Sequence, residues 1–592
     1  MTKSDIAAVL RESAHLLEFH GENQFKVRAF SNAARAFMAE PASLEELLVP
    51  GRLEQVKGIG KATAEQIREV AASGKSAMNE RLREGTPSGL ADLMRVPKLG
   101  VKKIAQLYME AGINTLDELE EACRTGRITQ CRGITAAGAK KLLEGIELAR
   151  RYSGQLTLRQ ALLAAEPILE ELRRCPAVIR AEVAGSLRRQ KEIVGDLDFV
   201  ASSDNPEAVM DCFAGLSWAT SVIARGPTKT SILLPDDVQA DLRVVSDDCY
   251  ATALHHFTGS KEHNTQLRSR ALKMKLKVNE YGLFDGDSPA AACLQVSSED
   301  ELFQKLKLQP IPPELREGDG EIDAAAAGKL PKLVDWDDYR GVLHCHTDWS
   351  DGGNTIAEMA EAARDQFGWE YIAICDHSEL AAYAGGIKKA EIPDQQAEIA
   401  EVDEALGGKK FRVLKGTECD ILRDGEMDYP DSILATMDVV VASIHSRYNQ
   451  SGEEMTARII RAMENPYVHI IGHVSGRLLL MREAYDFDMD AVLKAAARTR
   501  TVMEINADPR RLDIDWRHCR RAKEMGVKFS INPDAHSVDS MNNVRYGISM
   551  ARKGWLESGD VINCLDLKSF VKWAAELRKW KLDQAQNGWN QA

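Results

Sequence analysis

The sequence has no run of 18 or more apolar residues and no apolar stretch after its first residues, so it is expected to be neither secreted nor membrane-spanning. Its 11 cysteines form no C-x-x-C pair and no disulfide-like spacing, which argues against a disulfide scaffold and for a reducing, cytoplasmic setting. It also lacks an excess of positive charge, the formal net charge being −14. That does not exclude a nucleic-acid partner, because local patches decide binding. Residues 1–310 hold 41 Lys and Arg against 42 Asp and Glu, while the remainder holds 35 against 48, so the acidity belongs to the second half. What is present is apolar content of 44% over 592 residues, enough for three to five globular domains at ~100–200 residues each.

The most informative stretch is Gly185-Ser186-Leu187-Arg188-Arg189, followed by Gly195-Asp196-Leu197-Asp198. The run Ile193 to Val200 reads as a β-strand, on which residues two apart share a face, so Asp196 and Asp198 project together. Asp241, inside the apolar run Val238 to Val245, can add a third carboxylate from a neighbouring strand. Clustered carboxylates suit Mg²⁺ or Mn²⁺, and two such ions can clamp the oxygens of a phosphoryl transfer. Most D-x-D pairs are solvated strand edges. Here the Gly-Ser turn offers N–H groups and a hydroxyl to a phosphate, and Arg189 offers a cation. The combination is a nucleotidyl-transfer signal.

Helical patterns fill residues 4–150, the first with Ile6, Val9, Leu10, Leu16 and Leu17 on one face, Ser4 as its N-cap and Gly21 as its stop. Within this block Gly58-Ile-Gly60-Lys61 opens a helix, a weaker copy runs Lys98-Leu-Gly100-Val-Lys102, and a third candidate is Cys131-Arg-Gly-Ile-Thr135. A glycine turn before a helix aims unpaired N–H groups at a phosphate. One such turn is ordinarily a tight helix connection, but repeats followed by lysine look like helix-hairpin-helix motifs, which grip DNA backbones without reading sequence. The segment 308–333, with Pro310, Pro312 and Pro313, reads as a long wrapped linker.

Beyond residue 335, short apolar runs alternate with helical segments and end in metal-capable residues, the logic of a TIM-like barrel. His344, His346, His377, His445, His473 and His536, with Asp351, Glu418 and Asp534, would form a mixed N/O site for up to three metals. A lone histidine after a strand is ordinarily a satisfied buried side chain; six in register are not. His469 and His518 fall outside the register and read as surface or structural.

Over nearly its whole length the chain resembles bacterial family X DNA polymerases that carry a C-terminal PHP (polymerase and histidinol phosphatase) domain. The match rests on Gly185-Ser186 to Arg189, Gly195 to Asp198, Asp241, Phe257-Thr-Gly-Ser260 and the His344 to His536 series. The resemblance implies a multidomain α+β and α/β protein. It would have an N-terminal helical domain at 1–90, a fingers-like helical domain at 91–155 and a polymerase beta-like nucleotidyltransferase palm at 156–245. A thumb at 246–307, a linker at 308–335 and a distorted TIM-like PHP barrel at 336–592 would follow. Asp196, Asp198 and Asp241 would hold two catalytic metals, Mg²⁺ or Mn²⁺. Ser186, Arg189 and Gly195 would contact the incoming triphosphate, and Phe257 and Gly259 the sugar. Asn264 would face the groove edge of the incoming base, and Arg268 the template. Gly58, Gly60, Lys61, Gly100 and Lys102 would hold DNA. The barrel ligands, with Mn²⁺ or Zn²⁺, would serve a 3′–5′ exonuclease, with abasic-site endonuclease or 3′-phosphatase as the further activities the resemblance implies. The partners would be dNTPs and gapped or primer-template DNA, in short-gap filling during base excision repair.

Three positions depart from the family pattern. Animal repair members place a Schiff-base lysine eight residues after the first hairpin glycine; here Gln66 stands there, and an amide cannot form the imine. Lys57 and Lys61 lie on other faces or turns, so the sequence argues against a lyase of that type. His256 stands where an aromatic often precedes Phe257, implying a weaker or differently built exclusion of ribonucleotides. Lys98 replaces the first glycine of the second hairpin. The competing reading is a nucleotidyltransferase on a non-DNA acceptor, fused to an independent PHP phosphatase; the hairpins argue against it.

Overall fold

The computed structural model describes residues 3–589 except 41, 98, 287, 289–291 and 409, and divides into two compact units, 1–153 and 154–592. Lys98 therefore lies outside the described residues. No described helix is long and apolar enough to cross a membrane.

The first unit is helical around two cores, one built on Leu10, Phe30, Phe37 and Ile67, the other on Ile104, Leu107, Leu119 and Ile146. Its first helix is Lys3–Phe19, so Ser4 lies within it rather than capping it, and Gly21 ends it at φ +71°. Gly60 is the N-cap of Lys61–Ser73 and Gly100 that of Val101–Ala111; neither offers a side chain to the first-turn amides. The third candidate differs. Thr135 caps Ala136–Arg151 and accepts a hydrogen bond from Gly138 N at 3.1 Å, so that helix satisfies part of its own N-terminus.

The second unit opens on a five-stranded sheet. Strand Asp196–Ser202 runs between Arg180–Val183, antiparallel, and Gln239–Val245, parallel. The strand expected over Ile193–Val200 is interrupted at Gly195: Ile193–Val194 pairs separately with Leu156–Thr157. A glycine inside a strand often marks such a break. Helices Tyr250–Thr258 and Lys261–Lys273 follow, then a three-stranded antiparallel sheet. The stretch expected as a linker is packed: Leu308, Ile311, Leu315 and Ile322 join a buried cluster with Leu267 and Phe303, and Glu321–Ala326 is helical. Its apolar residues are scattered among prolines and charges, which conceals their common face.

Seven parallel strands then follow in sequential order, from Gly341–Cys345 to Phe529–Asn532. A parallel bridge Cys345↔Ala535, with His346 N donating to Ala535 O at 2.8 Å, brings the first and last strands together. The result is a distorted TIM-like barrel, one strand short of eight. Its strands are buried on both faces, which is why they read as almost continuous apolar runs.

Two candidate metal centres

The parallel pairing of Asp196–Ser202 with Gln239–Val245 sets Asp198 directly opposite Asp241. The period of two places Asp196 on the same face, and ligand oxygens of the three lie within 4.8 Å of one another. Burial, with Asp196 and Asp241 beside it, raises Asp198 to about 7, and burial together with Asp241 also raises Asp196. Burial would raise Asp241 too, but hydrogen bonds from Lys229, Ser231 and Gln239 hold it below the usual range. Lys229 Nζ lies 2.5 Å from Asp241 Oδ2. Three carboxylates with one fixed cation leave a concentration of negative charge that a divalent ion would neutralise, so the donor set fits Mg²⁺ or Mn²⁺.

Gly185 begins a short turn of helix, Gly185–Arg188, directly against this group. Its φ is +58°, and a Cβ there would lie 2.0 Å from Asp198 Oδ2. Only glycine permits that approach. Ser186 Oγ is buried without a partner, a hydroxyl left for a ligand. Arg189 is held on two sides, Nε donating to Glu317 Oε1 at 3.1 Å and Nη1 to Thr258 O at 2.8 Å. Gly195 has open space where a Cβ would be. Phe257 lies under the Arg243 guanidinium, 5.0 Å from its ring centre. A Cβ on Gly259 would meet His263 and Asn264 below 3.0 Å, so that turn too is closely packed. Asn264 is buried and donates from Nδ2 to His256 O (2.7 Å) and Gly259 O (3.1 Å), while Arg268 Nε donates to Asn264 O at 3.2 Å. The structure thus ties Arg189 to the Thr258 carbonyl, between Phe257 and Gly259, and engages the Asn264 amide in holding that turn.

In the first unit, Gly58, Gly60, Lys61, Gly100 and Lys102 are all exposed. Gln66 is buried, its Nε2 donating to Ser13 Oγ (2.6 Å) and Ser76 Oγ (2.9 Å). It ties three segments together.

In the barrel, Glu418 lies at the centre of the histidines. His473 Nε2 is 2.9 Å from Oε1, His445 Nε2 3.4 Å and His344 Nε2 3.5 Å; His377 Nδ1 is 3.0 Å and His346 Nε2 3.7 Å from Oε2. Asp534 Oδ1 lies 3.2 Å from His346 Nε2, and Asp351 Oδ1 lies 3.2 Å from His536 Nε2 and 3.6 Å from His377 Nε2. All nine expected residues converge in one cup. Burial alone would raise Glu418, but His445, His344 and His377 hold it well below the usual carboxylate range. Burial, with His536 and His377 alongside, lowers His346 to about 3. Several buried ring nitrogens lack hydrogen bonds: His344 Nε2, both nitrogens of His346, His377 Nδ1 and His473 Nδ1. Buried ring nitrogens without hydrogen-bond partners, gathered around carboxylates, are what a transition-metal site presents, so the donors fit Mn²⁺ or Zn²⁺.

Two supporting carboxylates escaped the sequence reading. Glu504, fully buried on strand Val502–Asn506, accepts from His344 Nδ1 at 2.7 Å and from His473 N at 2.8 Å. Asp420 accepts from His445 Nδ1 at 2.8 Å. Each fixes the tautomer that turns Nε2 into the cup. A carboxylate inside an apolar strand buried on both faces was the available signal for Glu504. His469 is buried and structural, its Nδ1 accepting from Val440 N.

Comparison with known proteins agrees with this arrangement. Residues 253–317 match the family described as DNA polymerase beta thumb, 1–76 a helix-hairpin-helix domain and 90–147 a SAM-like helix-hairpin-helix tandem. The chain is 38% identical over 570 residues to the DNA polymerase/3′-5′ exonuclease PolX of Bacillus subtilis, covering 96% of this chain and 98% of that protein. A probable phosphatase of Caldanaerobacter subterraneus is 29% identical over 269 residues, 42% of this chain and 97% of its own. Another, from Syntrophotalea carbinolica, is 28% identical over 37% of this chain and 90% of its own. The phosphatases align with the barrel alone, whereas the first likeness runs from end to end and takes in both centres. By that likeness the chain belongs to the bacterial family X DNA polymerases that carry a C-terminal PHP domain.

Proposed function

We propose that this chain is a DNA-directed DNA polymerase that fills short gaps during repair, with a 3′–5′ exonuclease in its barrel. The observation that carries the reading is the Asp198–Asp241 pair facing across a parallel register with Asp196 beside it, directly under the Gly185-led turn. Ions bound there, Mg²⁺ or Mn²⁺, would stabilise the attacking and leaving oxygens of nucleotidyl transfer. The chain's own residues supply position. Lys229 fixes Asp241, the turn amides and Ser186 receive phosphate oxygens, and Arg189 carries the balancing charge. Phe257 and Gly259 shape the sugar pocket, with Asn264 and Arg268 toward the base and template. The hairpins at Gly58–Lys61 and Gly100–Lys102 seat the DNA backbone on open helix N-termini.

In the barrel, up to three ions, Mn²⁺ or Zn²⁺, would polarise a phosphodiester and activate water. Glu504 and Asp420 hold His344 and His445 in place for them. That the barrel aligns with probable phosphatases favours an additional 3′-phosphatase activity on the same cup.

The test is a labelled primer on gapped duplex DNA. Asp196→Ala with Asp198→Ala is expected to abolish extension and spare trimming, and His344→Ala with His346→Ala to do the reverse. Extension by the first variant would remove the palm assignment, and undiminished trimming by the second would remove the nuclease assignment. Absence of any preference for gapped DNA in a gel shift would favour a non-DNA acceptor.

A further inference from the structure

The turn that carries Arg189 is held by the barrel. Helix Val544–Lys553 ends in Lys553, whose side chain is 0% exposed. Its ammonium has three donors and three acceptors: Arg189 O at 2.9 Å, Glu317 Oε1 at 2.7 Å and Glu314 O at 3.2 Å. Glu317 Oε1 also receives Arg189 Nε at 3.1 Å, so one oxygen joins the lysine of the barrel to the arginine of the phosphate turn. Trp516 lies alongside, with Lys553 Nζ 4.5 Å from its ring centre. The neighbouring contacts follow the same pattern. Ser549 Oγ donates to Gln190 Oε1 (3.2 Å), and Glu192 accepts from Trp516 Nε1 (3.0 Å) and Arg517 Nη1 (2.7 Å). Gln190 itself has φ +56°, a conformation that a non-glycine residue keeps only where its surroundings impose it.

We infer that Lys553 is a positioning residue for nucleotide binding, supplied by the PHP barrel to the polymerase site through the Arg189 carbonyl and the shared Glu317 oxygen. The inference rests on the polymerase reading and deepens it. Without the ammonium, a buried carbonyl loses its donor and Glu317 keeps Arg189 as its near cation. The guanidinium is then drawn toward Glu317 and away from the triphosphate. The cost falls on binding of the incoming nucleotide, because the contacts of Lys553 run to the Arg189 turn, Glu314 and Glu317 rather than to the aspartates.

The experiment is single-nucleotide insertion by the full-length chain on gapped duplex. Lys553→Met is expected to raise KM for dNTP between about tenfold and a hundredfold, with kcat changed less than about threefold. Trimming by the same preparation should match the wild type, which shows that the barrel is folded. Glu317→Gln added to Lys553→Met, which removes the charge that draws the guanidinium away, should return KM part of the way to the wild-type value. In an Arg189→Ala background, Lys553→Met should add less than about twofold, since the lysine acts through the arginine. An unchanged KM in Lys553→Met, a parallel fall of insertion and trimming, or full additivity with Arg189→Ala would each overturn the inference. A wild-type chain that inserts no nucleotide would instead overturn the polymerase reading on which it rests.

Discussion

Replacing Gly185 by alanine tests the geometry of the aspartate centre without touching a carboxylate. The backbone there has φ +58°, where an L-residue costs about 1–2 kcal/mol relative to glycine. The added methyl would sit 2.0 Å from Asp198 Oδ2, 2.9 Å from its Cγ and 3.0 Å from its Cβ. Since unbonded carbon and oxygen settle near ~3.5 Å, Asp198 must retreat by roughly 1 Å or more. A displacement of that size at a reacting centre costs on the order of a hundredfold in rate, about 2.7 kcal/mol of barrier. Single-turnover insertion on a gapped primer should therefore slow by about a hundredfold, while trimming stays at the wild-type rate. Insertion within about threefold of wild type would refute the claim that Gly185 is required by contact with Asp198.

Three further outcomes follow from the barrel. Glu504→Gln removes the charge that orients His344 and should lower trimming about ten- to a hundredfold with insertion unchanged; equal trimming would show that the His344 orientation does not matter. Asp420→Asn, beside His445, should act in the same direction. Lys581 is fully buried, and burial pulls its ammonium down to about 7, although Met463 O, Val468 O and Thr501 Oγ1 accept from it. Between that value and its ordinary 10.5 the unfolded chain binds the additional proton, so this group makes stability rise with pH across that window. From pH 7 to pH 9 the rise has a ceiling of about 3 kcal/mol in urea unfolding, and Lys581→Met should flatten it; identical slopes would contradict the buried-lysine assignment.

The two centres were legible in the sequence because their ligands obey local rules. Asp196 and Asp198 share a face through strand periodicity, Asp241 stands inside an apolar run, and the barrel residues sit in or just after such runs. What was not legible is contact between distant segments. Lys229 reaches Asp241 from the next strand, and Lys553 lies 364 positions from the carbonyl it holds. Nothing in the local pattern around Lys553 marks it apart from other lysines that end helices. The packed stretch after residue 308 was concealed differently, its prolines and charges masking Leu308, Ile311, Leu315 and Ile322. The break at Gly195 depended on separate pairing of Ile193–Val194, again a long-range fact. Gln66 was legible as an absence of lyase chemistry but not as the tie between Ser13 and Ser76.

On the proposed reading, one chain holds two separate metal centres, one that builds DNA and one that trims it. Anomalous diffraction from crystals grown with Mn²⁺ and gapped duplex tests it most directly. Peaks are expected within about 2.0–2.3 Å of ligand atoms in both places, among Asp196, Asp198 and Asp241 and within the His344 to His536 cup around Glu418. A fully active preparation with no peak at one of the two centres would contradict it.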